Sequence, residues 1–165
     1  NKKKLTLSEI KGGLIFYGKG NCASCHSGPL FSDLNFYSIP FPQIGFGKNG
    51  FGVDYGKFNV TFNPDDLYKF RTPPLYNVEN TFPYSHSGSV YDLKESIIYH
   101  FDPLRNYKPE EYSEIDRNEY YKKLTSSGSE MELIPYLDDN ELDNLVDFLK
   151  TLSFPGKDQK LTKAN

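Results

Sequence analysis

The pentapeptide Cys22-Ala23-Ser24-Cys25-His26 constrains this chain more than any other stretch. Two thiols at this spacing can each add to one vinyl group of a haem, and the imidazole that follows then stands on the same face as an axial ligand to iron. The other uses of a CxxC pair meet obstacles elsewhere in the chain. A structural zinc site takes about four N or S ligands, yet Cys22 and Cys25 are the only cysteines, so histidines would have to complete the set. A redox dithiol wants a βαβ setting, whereas an amphipathic helical pattern precedes Cys22 and a Gly- and Pro-rich stretch follows His26. Zinc, a disulfide and a chance match are the competing readings to covalent haem.

At 165 residues the chain is about one domain, and a porphyrin would supply part of its core. A net charge of -3 offers no basic excess for nucleic acid. No run approaches the roughly 18 apolar residues of a membrane span, and Asn1-Lys2-Lys3-Lys4 leads into no apolar signal core, so the chain reads as mature or trimmed. Covalent haem attachment takes place on the outer side of an energy-transducing membrane. A periplasmic or otherwise exported protein is therefore expected.

Thr6 and Glu9 form a capping box, after which Leu7, Ile10, Leu14 and Tyr17 recur at helical spacing, predicting a helix over 8–17. Gly12-Gly13 inside it costs about 1 kcal/mol per residue relative to Ala, a cost understandable where another helix crosses at close range. Asp138 and Glu141 cap a second pattern with Leu142, Leu145, Val146, Leu149 and Leu152 on one stripe, stopped by Pro155-Gly156. A helix leading into CxxCH and crossed by an apolar C-terminal helix resembles the class I c-type cytochromes. The expected fold is mainly α: a cytochrome c-like helical domain wrapped around one covalently bound haem, with long irregular loops. Residues 1–165 read as a single monohaem domain, with 154–165 a tail.

Residues 27–66 show little periodicity and are expected to wrap the haem irregularly, with short extended pieces or a hairpin as one option at 55–62, where Phe58, Val60 and Phe62 alternate. Asp92 and Glu95 cap a third helix, Leu93 to about Phe101, carrying Leu93, Ile97, His100 and Phe101 on one face. The stretch from there to Met131 is charged and tyrosine-rich, with a helix option at 114–124 and a solvated surface as the default reading.

Two further stretches, Phe70-Arg71-Thr72-Pro73-Pro74-Leu75-Tyr76-Asn77-Val78 and Phe82-Pro83-Tyr84-Ser85-His86-Ser87-Gly88-Ser89, resemble the signature of the C-terminal haem domain of the bacterial dihaem cytochrome c peroxidase and MauG superfamily. With the CxxCH and the closing helix, the resemblance covers about 7–153. Tyr76 stands where that family usually has Arg, which weakens an expected propionate contact. Ser87 stands where it usually has Asp, which removes an acceptor beside His86. A full family member has two haem domains, and this chain has one CxxCH.

The resemblance implies the following site. Cys22 and Cys25 carry the haem, and His26 is the proximal iron ligand. His100, fourteen residues after His86, falls where the family has its distal ligand, a half-buried core histidine being the alternative; Met131, the only methionine, is the runner-up ligand. His86 stands near the haem without binding iron, and Arg71 pairs with a propionate or is simply a surface arginine. Thr81 and Pro83 match positions whose backbone carbonyls help hold calcium between the two domains of the peroxidases.

The function implied is one-electron transfer by a periplasmic monohaem domain, because in that family the C-terminal haem stores electrons while peroxide reacts at the other. The alternative is a subunit or fragment of a haem peroxidase or MauG-like oxidase with catalysis at haem iron. The expected partner is a redox protein, or a second haem domain or subunit.

Overall fold

The computed structural model describes residues 4–44, 52–128, 132 and 134–154. Among these lie helices α1 (Leu7–Tyr17), α2 (Phe58–Thr61), α3 (Leu93–Ile98), α4 (Glu114–Ser126) and α5 (Asp139–Lys150), several single 3-10 turns, and strands β1 (Phe36–Tyr37) and β2 (Phe70–Arg71). The strands pair antiparallel, Phe36 opposite Arg71 and Tyr37 opposite Phe70. That small ladder ties the loop following the CxxCH to the Phe70–Val78 stretch. Met131, Pro155-Gly156 and most of the expected tail lie outside the described residues.

Both expected capping boxes form. Thr6 Oγ1 accepts from the Glu9 amide at 3.2 Å while the Thr6 amide donates to Glu9 Oε2 at 2.6 Å, and Asp138 with Glu141 repeats the pattern at the start of α5. Each box satisfies amides that have no partner within the helix. α1 and α5 cross at Gly12, packed directly on the Asn144 backbone and the Phe148 side chain. Phe16, Leu137, Leu142, Leu145 and Leu149 bury their side chains in the resulting core.

The buried face of α1 differs from expectation. Gly12, Ile15 and Phe16 face inward, while Leu7, Ile10, Leu14 and Tyr17 are 68%, 47%, 70% and 63% exposed. The closest helix approach requires the residue without a side chain, so Gly12 sets the contact line and turns the more conspicuous leucine stripe outward. Residues 58–61 form a helical turn and not the extended arm of a hairpin. Among the described residues no segment pairs with them as a ladder, and Phe62 closes the turn in the left-handed region (φ 54°), its amide bonded to the Phe58 carbonyl at 2.9 Å. α3 is shorter than expected, ending at Ile98; its last turn tightens so that the His100 and Phe101 amides bond three residues back. α4 is a helix, but it is not simply solvated. Tyr120, Lys123 and the following Ser127 are buried.

Candidate cofactor site

The CxxCH adopts one turn of 3-10 helix over Cys22–Ser24, and the His26 amide bonds to the Cys22 carbonyl at 2.8 Å. One helical turn brings positions three and four apart onto the same side, so Cys22, Cys25 and His26 border a common space. Both cysteines are free thiols. Burial pushes the Cys22 thiol up to about 11. Among the described residues no group of three or more His, Cys, Asp or Glu converges as a metal ion requires.

The space is a cavity of about 670 Å³, within the roughly 300–1,000 Å³ range of cofactor-sized sites. Its walls are largely apolar, with Phe16, Ile39, Leu75, Val78, Leu145 and Leu149 among them. His26 and His100 both border it. His26 Nδ1 lies 3.0 Å from the Phe31 carbonyl, and His100 Nδ1 lies 3.0 Å from the Ser96 carbonyl one helical turn back. A carbonyl can only accept, so in each ring Nδ1 carries the proton and Nε2 keeps the lone pair a metal would take. Burial lowers the pKa of His26. Burial, reinforced by the nearby His26, lowers that of His100 to about 4. Both imidazoles are thus held neutral, the form that ligates metal, and each is oriented by its own backbone bond. Phe41 adds an edge contact to His100, with ring centroids 5.7 Å apart.

His86 also borders the cavity. It stacks on Phe70 at 4.0 Å and places Nε2 2.7 Å from Asp54 Oδ2. The acceptor that Ser87 cannot supply therefore comes from thirty-two residues earlier, and Ser87 instead donates to the Pro42 carbonyl at 3.0 Å. Arg71 is exposed at the cavity's edge and makes no ion pair with a described residue. Tyr76 donates to the Pro29 carbonyl at 2.6 Å and meets Phe31 edge-on at 5.6 Å. In place of an arginine it braces the loop whose Phe31 carbonyl orients His26. Thr81 and Pro83 border the cavity too.

The chain is 32% identical over 123 residues, 61% of its length, to cytochrome-c peroxidase IdrP1 of Pseudomonas sp. (strain SCT), covering 32% of that protein. Over 128 residues, 73% of its length, it is 32% identical to the methylamine utilization protein MauG of Methylorubrum extorquens, covering 34% of it. This chain is a homologue of the dihaem cytochrome c peroxidases and MauG proteins. The structure agrees: it superposes on that of a MauG-like protein associated with microbial copper homeostasis with a TM-score of 0.68 and 28% identity, over 91% of this chain and 48% of that one. The chain thus spans about a third of these curated relatives and under half of the solved one. No family model matches.

Within this homologue the sequence-predicted Cys22, Cys25, His26, Arg71, His86 and His100 come together around one cavity. The residues found only by structure are Asp54, Phe41, Tyr37 and Lys123. Tyr37 donates to Asp33 at 2.7 Å beside the cavity, and Lys123 reaches it from α4. Lys123 had only a weak local signal, its place with Tyr120, Leu124 and Ser127 at helical spacing on one face. Asp54 had none.

Proposed function

We propose that this chain is a c-type cytochrome domain that passes single electrons and binds no substrate at iron. The observation that carries this reading is the pair of neutral, backbone-oriented imidazoles bordering one cavity next to two free thiols. Cys22 and Cys25 would hold a haem covalently, and His26 and His100 would ligate its iron. Such a haem supplies a one-electron couple whose potential the axial ligands and burial tune. Two imidazoles donate more strongly than an imidazole and a thioether, so a lower potential than His/Met ligation is expected in otherwise equal surroundings. The chain's own residues do the rest: the Phe31 and Ser96 carbonyls hold the two rings in place, Arg71 offers a cation to a propionate, and the apolar walls exclude water. Export to the periplasm follows from the attachment chemistry. A redox protein or a second domain is the electron partner.

A second reading, catalysis at haem iron within a larger peroxidase or MauG-like oxidase, is favoured by the names of the relatives and by the fraction of their length this chain spans. The two part at His100. In the first, holoprotein is low-spin, and His100→Ala makes it high-spin with new reactivity toward peroxide, while Met131→Ala changes nothing. A wild-type holoprotein that is already high-spin and turns over peroxide far faster than free haem would reverse the order of the two readings.

A further inference from the structure

Lys123 is 3% exposed, on α4, and borders the same cavity as the histidines. Its Nζ donates to the Phe41 carbonyl at 2.9 Å and stands 5.1 Å over the Phe70 ring. An ammonium has three N–H donors, and among the described residues no carboxylate forms an ion pair or hydrogen bond with it. Asp54, a carboxylate whose charge acts on Lys123, is already engaged by His86 at 2.7 Å, by the Gly56 amide at 2.8 Å and by Asn59 at 2.7 Å. A buried cation without a counter-charge is costly, and burial lowers the Lys123 pKa to about 8. The rest of the cavity's described lining holds no carboxylate side chain either. An anionic group on whatever fills the cavity would offset that cost.

We propose that Lys123 is a carboxylate-binding residue of this site, its ammonium holding a propionate of the haem, in a position that rests on the haem reading given above. Lys123 would then work as a positioning residue and as a charge near the redox centre. A cation paired with a propionate offsets negative charge beside the haem and favours the electron-bearing form. Phe41, which receives Lys123 at its carbonyl and meets His100 with its ring, links this anchor to the second imidazole.

The test uses the full chain matured with haem. Lys123→Met and Lys123→Gln should move the reduction potential negative, whereas Lys123→Arg should stay near wild type. In resonance Raman spectra, a propionate bending band that shifts on exchange into D2O should lose that shift in the methionine variant and keep it in the arginine variant. If Lys123→Met does not accumulate, the glutamine variant, which keeps a donor for Phe41 but no charge, is read in its place. An unchanged potential with an unchanged propionate band in the neutral variants overturns the proposal while leaving the haem reading intact. A wild-type chain that takes up no haem overturns both.

Discussion

Gly12→Ala and Gly13→Ala make the same change one position apart on α1, and they should move stability in opposite directions. A Cβ at Gly12 would overlap the Asn144 carbonyl oxygen and stand 2.6 Å from its carbon and 2.7 Å from Phe148 Cβ. None of those atoms belongs to the free end of a side chain, so relief requires α1 and α5 to separate along their contact. Overpacking a well-packed core costs about 1–3 kcal/mol, and a backbone overlap belongs at the upper end. Replacing a helical glycine by alanine returns about 1 kcal/mol. The net is about 2 kcal/mol of destabilisation, or roughly 4–8 °C in Tm for a chain of this size. At Gly13 the new Cβ would meet only the Phe148 ring, at 3.4 Å, so the helical gain survives and the variant should be about 0.4–1 kcal/mol more stable. Thermal unfolding of the two holoproteins, followed by far-ultraviolet circular dichroism, checks both. A Gly12→Ala protein as stable as wild type, or a Gly13→Ala protein that falls as far as its neighbour, would refute the crossing as described.

Asp66 accepts a hydrogen bond from Lys57 at 2.9 Å, which holds its carboxyl below the usual range. A depressed folded pKa stabilises above the unfolded value of about 3.9 and loses that contribution as the pH falls through the lower folded value. The Tm gap between wild type and Asp66→Asn should accordingly be constant above about pH 5 and close on acidification; a gap that persists undiminished at pH 2 would show that Asp66 acts through something other than its charge. Denaturing mass spectrometry of protein matured with haem should give the polypeptide plus one haem, lost on replacing Cys22 and Cys25 together. Bare polypeptide, or polypeptide plus zinc, would end the haem reading.

Local chemistry made the ends of the domain legible in the sequence. Thr6 with Glu9 and Asp138 with Glu141 announce their helices because a cap needs only neighbours three residues apart, and Gly12 announces a crossing because nothing else repays its cost. That the CxxCH and His100 would border one space was legible for a similar reason, since a helical turn and a family resemblance pointed to both. What escaped was decided over long separations. His86 finds its acceptor in Asp54, and Lys123 finds Phe41 more than eighty positions away. Neither pairing leaves a periodicity. The alternation at Phe58, Val60 and Phe62 misled because a two-period pattern makes a strand only where another strand lies beside it. The face of α1 misled because leucines outweigh a glycine in any count of apolar residues, while contact distance favours the glycine.

That last inversion has an evolutionary side. Leu7 and Leu14 are 68% and 70% exposed, so exchanging them for glutamine or lysine would remove almost no buried contact and leave the α1 crossing untouched. Fold stability puts no brake on such changes. The outer face of α1 is free to drift in sequence as far as this domain is concerned, whereas Gly12, on the same helix, is not. Among relatives, apolar residues kept on that outer face would record a selective pressure on solubility or association, separate from the one that keeps the helices together.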